Sequence, residues 1–350
     1  MLVAGAGMAG LVAAARVREL GAAPVVVEKG HRAGGSMLLS SGVVWRYRTF
    51  EEFRRQCPAG DETLQRLVHD RLDDALDWLE SLGAPVTARE TRNPLTVGRR
   101  FDPRGLTDMF VRAAGDGGVH LHTPLLDTLE RPLVLATGGF GGRLARELGL
   151  PLRANPWSHG DALDLARARG AEVTPGMDEF YGRAMPAPPA KWGEDEFVDH
   201  AQLYGRHALV LDEHGEEVPV DPADWSETRL AQRIVARGGT AWYVVEEPAL
   251  GKPTPYGTVA ECIERARAVG GTVVERDDGR LAVHVVTAVT HTIGGLRVDE
   301  RTRVLGEGGR PLDGLYAAGV DAGGIATGGY ASGLAAALVL GLTAGESAVT

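Results

Sequence analysis

The residues with the clearest chemistry are three glycines near the start of the chain. Gly5, Gly7 and Gly10 have the spacing G-x-G-x-x-G, between the apolar run Leu2–Ala4 and a helical apolar pattern over Leu11–Leu20. In a turn from strand to helix, this spacing lets the backbone approach a pyrophosphate, which then lies at the N-terminus of the helix. The N-terminal sequence therefore predicts a βαβ unit that binds a dinucleotide.

Glu28 stands at the end of the second predicted strand, Ala23–Val27, eighteen residues after Gly10. A carboxylate there can accept hydrogen bonds from an unphosphorylated ribose, which favours FAD or NAD over NADP. Glycines also form ordinary turns, so the prediction depends on the strand, the helix and Glu28 occurring together.

Two later stretches have glycines where a ligand could approach the backbone. Gly30–Trp45 contains AGGS at Ala33–Ser36 and SSG at Ser40–Gly42, and the apolar run Leu133–Ala136 leads into TGGFGG. Small residues let a loop run close to a ligand, and backbone N–H groups and serine hydroxyls can then reach phosphate or a flavin ring.

The end of the chain is again rich in glycine. Leu315–Ala318 has the pattern of a buried strand that ends at Gly319, and Ser332–Leu342 has the pattern of an apolar helix with many small residues. A helix that begins beside such a turn directs the positive end of its dipole toward the cofactor.

The middle of the chain changes character from about Asp178. Short strands and helices alternate there, which predicts an inserted α+β domain that binds substrate. The predicted elements are a hairpin of Ala208–Leu211 with Glu216–Val220, a helix from Ser226 to Arg237, a helix with a capping box at Thr258 and Glu261, and a strand pair of Thr272–Arg276 with Leu281–Val286.

Composition bounds the class of protein. A chain of 350 residues can form one large or two modest domains. Its net charge of -10 argues against nucleic-acid binding, which depends on Lys and Arg at phosphates.

Cys57 and Cys262 have no metal-ligand or redox C-x-x-C spacing, and free thiols fit a reducing cytoplasm. No apolar run has the length of a transmembrane helix. The first strand begins directly after Met1, which leaves open whether the natural start lies upstream.

Six motifs in order resemble one flavoprotein family: GAGMAG, the late Glu28, AGGS to SSG, LATGGFGG, HTIGG and GLYAAG. This family contains fumarate reductases, succinate dehydrogenase flavoprotein subunits and 3-ketosteroid 1-dehydrogenases. The resemblance implies an α/β fold in which a Rossmann-like FAD-binding domain is interrupted by an α+β capping domain, with the substrate held between the cap and the flavin ring. The expected boundaries are 1–177 and 286–350 for the FAD-binding domain and 178–285 for the cap.

The resemblance also assigns cofactor residues along the chain. Asp161 matches the aspartate of the family's GDG motif, and Gly294 is expected near the isoalloxazine. Val320 stands where family members carry an acidic or amide residue, so Asp321 is one position late. The residues expected to bind FAD are Gly5, Gly7, Met8, Ala9, Gly10, Glu28, Lys29, Gly34, Gly35, Ser36, Ser41, Gly42, Ala136, Thr137, Gly138, Asp161, Gly294, Gly319, Asp321, Ser332, Gly333 and Leu334. The histidine that tethers FAD in some members aligns near Gly35, so the FAD is expected to be non-covalent.

Two residues are candidates for catalysis beside the flavin. His291 matches the histidine with which fumarate reductases hold a substrate carboxylate, and Tyr330 aligns with the arginine that grips the other end of a dicarboxylate. A phenol offers one donor instead of a bidentate cationic fork, so Tyr330 suits a ketone oxygen better. Ketosteroid dehydrogenases place a tyrosine in this same glycine-rich turn. Tyr330 could instead cover the flavin edge, and His291 could have a structural role.

The cap has no arginine at the expected position. The family's proton-donating arginine aligns near Trp225–Ser226, so the candidates here are Arg229, three residues further on, and Arg206. Each could instead be solvated or paired with a nearby glutamate.

Together these residues predict an FAD-dependent oxidoreductase that transfers a hydride between flavin N5 and a carbon next to a carbonyl. The reaction would desaturate a ketone or acid, or reduce the activated C=C bond, with a small-molecule substrate and an electron donor or acceptor that the sequence does not identify. Two alternatives stay open. One is a flavin oxidase or dehydrogenase that acts on a C–N or C–O bond, and the other is a flavin-binding protein without catalysis.

Overall fold

The elements of this fold are given by a computed structural model that describes residues 1–115, 118–126 and 132–350. The strands are β1 (Leu2–Ala4), β2 (Val25–Val27), β3 (Val43–Tyr47), β4 (Val86–Ala88), β5 (Thr96–Phe101), β6 (Val119–His120), β7 (Leu133–Leu135), β8 (Phe180–Pro186), β9 (Leu209–Leu211), β10 (Thr240–Val245), β11 (Pro253–Thr254), β12 (Gly257–Thr258), β13 (Val273–Glu275), β14 (Leu281–Thr292), β15 (Arg303–Gly306) and β16 (Arg310–Ala317). The helices are α1 (Met8–Glu19), α2 (Phe50–Gln56), α3 (Glu62–Ser81), α4 (Pro103–Ala114), α5 (Gly141–Glu147), α6 (Asp161–Ala168), α7 (Thr228–Val235), α8 (Val259–Ala268) and α9 (Gly333–Val349).

The described chain divides into two units. The first comprises Met1–Arg143, Asn155–Glu179 and His291–Thr350, and the second comprises Leu144–Ala154 and Phe180–Thr290. Each unit has its own sheets and is described separately.

The first unit contains a six-stranded sheet in the order β15-β16-β7-β1-β2-β6. Its strands are parallel from β16 to β6, and only β15 pairs antiparallel to its neighbour. The central strands β1 and β7 read LVA and LVL and are buried throughout, as expected when both faces of a parallel sheet are covered. The carboxyl ends of β1, β7 and β16 therefore lie side by side, where ligands bind in sheets of this class.

Helices α1 and α9 pack against each other within the first unit. A Cβ atom built on Gly341 of α9 would lie 2.6 Å from the carbonyl oxygen of Ala9, and one on Gly345 would lie 2.9 Å from that of Ala13. Glycine at these positions therefore lets the two helices approach closely. This packing fixes the N-terminus of α9 relative to the start of α1.

The second unit has a five-stranded sheet in the order β13-β14-β10-β9, with β8 also paired to β14. Its core includes side chains from several elements, among them Tyr204, Leu230, Ile234, Tyr243 and Val283. The predicted capping box of Thr258 and Glu261 is confirmed at the start of α8, and the predicted pairing of β13 with β14 is confirmed. The mixed α/β class with parallel and antiparallel sheets is confirmed as well.

The prediction that Ser226 caps a helix is wrong. The N-cap of α7 is Glu227, and the side chain of Asp224 accepts the first-turn N–H of Arg229 at 2.7 Å. The Ser226 hydroxyl donates to Asp224 at 2.7 Å and accepts the N–H of Thr228, the first residue of α7, at 3.3 Å, so it lies beside the start of the helix without being its N-cap. No helix in the described ranges is long and apolar enough to cross a membrane.

Candidate functional site

The glycine turn after β1 is pressed against the end of β7. Gly5 has a φ of +103°, and a Cβ built on it would lie 2.2 Å from the carbonyl oxygen of Ala136, so no side chain fits. The first intrahelical bond of α1 runs from Leu11 N to Gly7 O at 3.0 Å. The N–H groups of Met8, Ala9 and Gly10 precede that bond, so the start of α1 offers donors for an anion.

Glu28 lies directly beside this turn. Its side chain is 6% exposed, and its two carboxylate oxygens accept the backbone N–H groups of Ala6 at 2.9 Å and Gly30 at 2.7 Å. Each oxygen has a further lone pair, so the carboxylate can still accept bonds from ribose hydroxyls. The backbone bonds fix the orientation in which it would do so.

A cleft at the carboxyl ends of β1 and β2 combines several of the predicted residues. Within it, Lys29 Nζ and Asp161 Oδ2 lie 2.6 Å apart, so these two predicted residues form an ion pair. The cleft is lined by Gly5, Val27, Glu28, Lys29, Leu125, Thr137, Asn155, Trp157 and Asp161. Leu125, Asn155 and Trp157 were not predicted, since apolar and amide side chains in loops give no sequence pattern.

The AGGS segment lies against the glycine turn. Gly34 forms a bridge with Gly7 and donates its N–H to Ala6 O at 2.7 Å. Ser36 Oγ accepts the N–H of Asn155 at 3.1 Å. The SSG segment continues into β3. Gly42 packs against Phe101, and the carbonyl oxygen of Gly42 accepts the N–H of Phe101 at 2.9 Å.

Asp321 joins the turns that follow β7 and β16. Its carboxylate accepts the N–H groups of Thr137 and of Gly139, the latter at 2.9 Å, and the Thr137 hydroxyl at 3.0 Å. Burial raises the pKa of this carboxyl, and the backbone donors oppose that rise. Asp321 therefore shapes the Thr137 turn, beside the cleft that Thr137 lines.

A second cavity lies at the N-terminus of α9. His291 Nδ1 donates to Thr292 O at 3.1 Å, and a Cβ built on Gly333 would lie 3.1 Å from His291 Nε2. The imidazole edge therefore stands against the first turn of α9. The lining residues are His291, Thr292, Ile293, Gly319, Val320, Ala322, Ile325, Ala326, Ala331, Ser332, Gly333 and Ala336.

The remaining predicted residues of this region lie close by. Ser332 caps α9 by accepting the N–H of Ala335 at 3.2 Å, and Leu334 belongs to the first helical turn. Gly294 packs on Gly176 and Met177, one residue beyond the cavity wall at Ile293.

Tyr330 stands two residues before the N-cap of α9. Its ring centroid is 5.5 Å from that of Trp45, and its backbone carbonyl accepts the Tyr47 hydroxyl at 2.6 Å. The loop that carries Tyr330 also supplies Ala331 to the cavity that His291 lines. His291 and Tyr330 thus both flank the start of α9.

The two predicted cap arginines have different surroundings within the second unit. The Arg206 side chain is exposed. Arg229 Nη2 lies 3.1 Å from Asp221 Oδ2, so its charge is paired. Arg229 Nε also lies 3.9 Å from Asp224 Oδ2, and Asp224 accepts the hydroxyl of Ser226.

A third arginine, which the sequence analysis did not identify, reaches that position. Arg183 on β8 is 5% exposed, donates to Ser226 O and lies 4.5 Å from the ring centroid of Tyr181. Beside it, Glu227 is 5% exposed, and burial raises the pKa of its carboxyl to about 7, although the N–H of Arg206 and the charge of Arg183 favour ionisation. A carboxyl with this pKa can give and take a proton near neutral pH.

The residues of the first unit fit a flavin dinucleotide. The Gly5 cradle would be filled by a Cβ, the start of α1 offers anion donors, and Glu28 is oriented beside them. The start of α9 faces a cavity lined mainly by small and apolar side chains, which suits a flat ring with a polar edge.

Comparison with known proteins agrees with this geometry. A family model described as "FAD binding domain" matches residues 1–126 and 128–334. The probable fumarate reductase Ifc3 of Shewanella frigidimarina (strain NCIMB 400) is 23% identical over 99% of this chain and 74% of its own length.

Solved structures share the fold. The open conformation of a flavocytochrome c3 fumarate reductase has a TM-score of 0.69 at 19% identity, over 99% of this chain and 77% of that one. The 3-ketosteroid-Δ4-(5α)-dehydrogenase of Rhodococcus jostii RHA1, in complex with 4-androstene-3,17-dione, has a TM-score of 0.72 at 18% identity, over 100% of this chain and 96% of that one. The family match covers nearly the whole chain, and we conclude that this protein belongs to the FAD binding domain family and that its cofactor is FAD.

Proposed function

We propose that this protein is an oxidoreductase that uses FAD to desaturate, or to reduce, a carbon–carbon bond next to a carbonyl group. FAD supplies the acceptor or donor of a hydride at N5. The family match and the similarity to fumarate reductases support this class of reaction.

The observation that carries the proposal is the placement of His291 at the first turn of α9. Nδ1 donates to the carbonyl of Thr292, and Nε2 is the ring nitrogen that lies nearest Gly333 at the start of α9. Nε2 can accept a hydrogen bond or a proton from a group in the adjacent cavity. The N-terminus of α9 adds a positive potential, which stabilises negative charge that develops there.

Tyr330 is proposed to donate its phenolic hydrogen to the substrate carbonyl. Polarising that carbonyl makes the neighbouring C–H bond more acidic and the conjugated C=C bond more electrophilic. A neutral donor also avoids the strong preference for a second carboxylate that an arginine would impose. We therefore favour a ketone, with a dicarboxylate as the less favoured substrate.

The test measures whether the FAD-loaded protein turns over compounds that appear in the names of the similar proteins. Fumarate and 4-androstene-3,17-dione would be offered with reduced methyl viologen as electron donor, and 4-androstene-3,17-dione also with dichlorophenolindophenol as electron acceptor. We expect turnover of the ketone, and Tyr330→Phe should lower kcat about 100-fold without releasing FAD.

The same assays distinguish the alternatives. Unchanged turnover of Tyr330→Phe would overturn the role of Tyr330. Release of hydrogen peroxide with amines or alcohols, together with no turnover of fumarate or 4-androstene-3,17-dione, would favour an oxidase that acts on C–N or C–O bonds. The control is Tyr316→Phe, since Tyr316 donates its hydroxyl to Ser347 O at 3.1 Å, at the other end of α9.

We also propose that FAD is held without a covalent bond, because Gly35 stands where a tethering histidine would be. Acid precipitation should release all of the flavin into the supernatant, and flavin retained in the pellet would contradict this. Cys57 and Cys262 are both buried and form no disulfide with each other, which supports a reducing compartment, for which we propose the cytoplasm.

A further inference from the structure

We propose that Tyr47 is a positioning residue that acts through Tyr330. The inference rests on the proposed function of Tyr330 and extends it to β3, a strand to which the sequence analysis assigned no chemistry. The segment concerned is 324–331, called here the tyrosine loop.

Tyr47 forms a direct hydrogen bond to the loop. Its hydroxyl donates to Tyr330 O at 2.6 Å, and its side chain is 1% exposed. Its ring lies 5.2 Å from that of Trp45 and 5.4 Å from that of Phe53, in edge-on and tilted arrangements. A phenol enclosed in this way has little rotational freedom, so its hydroxyl stays within hydrogen-bonding distance of the Tyr330 carbonyl.

Trp45 contacts the loop from the same strand. Its ring lies 5.5 Å from that of Tyr330. Because successive odd positions of a strand share one face, Trp45 and Tyr47 together contact both the ring and the backbone of Tyr330. The ring direction and the backbone position are thus set by one rigid element.

Other parts of the first unit hold the rest of the loop. Gln65, fully buried, donates from Nε2 to Ile325 O at 2.8 Å, and the N–H of Asp61 donates to Gly324 O at 2.8 Å. Glu179 accepts the N–H of Gly328 at 2.8 Å. These bonds fix positions 324, 325 and 328, and the Tyr47 hydroxyl adds a bond at Tyr330 itself.

The expected consequence is a loss of orientation. Without the Tyr47 hydroxyl, the carbonyl of Tyr330 loses a buried donor and the loop can shift toward another partner. A misplacement of about 1 Å at a catalytic group can cost about 100-fold, and since the other bonds of the loop remain, we expect Tyr47→Phe to lower kcat about 10-fold. KM and the affinity for FAD should change less than about twofold, because no binding group is removed.

The experiment is a double-mutant cycle of Tyr47→Phe and Tyr330→Phe in the FAD-loaded protein, with 4-androstene-3,17-dione and dichlorophenolindophenol. If Tyr47 acts through Tyr330, adding Tyr47→Phe to Tyr330→Phe should cause no further loss of kcat. Tyr316→Phe is the matched control, because it also removes a bond from a tyrosine hydroxyl to a backbone carbonyl.

Each outcome has one meaning. Additive losses, or full activity of Tyr47→Phe beside an impaired Tyr330→Phe, would overturn the positioning role. Full activity of Tyr330→Phe would overturn the proposed function instead.

A readout without turnover uses fluorine NMR of protein labelled with 3-fluorotyrosine, in which the chain's 7 tyrosines report. The Tyr330 signal, assigned by its loss in Tyr330→Phe, should shift or broaden in Tyr47→Phe and stay in place in Tyr316→Phe. An unchanged Tyr330 signal in Tyr47→Phe would contradict the proposal.

Discussion

Asp321 determines the shape of the turn after β7 because both of its oxygens accept hydrogen bonds from that turn. In Asp321→Asn, an amide NH₂ replaces one of these acceptors and faces an N–H group. Losing a charge-assisted bond of this kind costs about 1.5–3 kcal/mol. Because Thr137 lines the FAD cleft, we expect the Kd for FAD to rise about tenfold or more.

The measurement for Asp321→Asn is titration of the apoprotein with FAD, followed by flavin fluorescence. Asp277→Asn is the matched control, because Asp277 lies exposed in the turn after β13. An unchanged Kd for Asp321→Asn, with normal circular dichroism, would show that the Thr137 turn keeps its shape without the carboxylate.

Glu227 should make the stability of the protein depend on pH. Its pKa rises from 4.5 to about 7 on folding, chiefly through burial. Between these values the folded state keeps a proton that the unfolded state releases, so the free energy of unfolding falls as pH rises from 4.5 to 7. The total change is about 3 kcal/mol, and it is complete above pH 7.

Glu227→Gln removes this titration while keeping the shape of the side chain. Relative to the native protein, the variant should therefore gain stability progressively from pH 5 to pH 7, as measured by the urea midpoint at each pH. The control is Glu275→Gln, since Glu275 is exposed on β13. A constant difference between Glu227→Gln and the native protein across this range would contradict a raised pKa.

Among individual residues, the sequence could predict those whose role depends on neighbours along the chain. Gly5 and Glu28 follow from a local strand, turn and helix, and the structure places them together as that pattern requires. Arg183 could not be found in the same way. It lies forty-three positions before Ser226, and the packing of β8 against α7 brings the two together.

Among the elements, α9 packs closely against α1. Replacing Gly341 with Ala would place a Cβ 2.6 Å from Ala9 O and 3.0 Å from Val12 Cβ. The gain in helix propensity is about 1 kcal/mol, whereas overpacking of a well-filled interface costs about 1–3 kcal/mol. We therefore expect Gly341→Ala to lower the urea midpoint and to weaken FAD binding, because α1 and α9 both begin at the site.

Ser347→Ala measures the gain in helix propensity without the overpacking. Ser347 lies near the end of α9 and is partly exposed, so its replacement by Ala should leave stability unchanged or raise it slightly. If Gly341→Ala behaved like Ser347→Ala, the helices would have room to separate, and their packing would not fix the start of α9.

Elements with strong periodicity or caps could be predicted from the sequence, and others could not. The stripe over Asp61–Leu82 forms α3 with Asp61 as its cap. In contrast, β8 contains Gly182, Arg183 and Pro186 and is buried on both faces, so it has neither alternation nor a typical strand composition. Its position follows from the sheet of the second unit, which local sequence does not encode.

For the whole molecule, every residue predicted to bind FAD belongs to the first unit, although these residues extend from Gly5 to Leu334. FAD at 100 times its Kd stabilises the folded state by about 2.7 kcal/mol. Amides of β1, β7 and β16 that exchange only after FAD leaves should therefore exchange about 100-fold more slowly with FAD than without it. Amides of β9 and β10, in the core of the second unit, should be unaffected. Hydrogen exchange measured by mass spectrometry tests this, and equal slowing in both units would show that they open together.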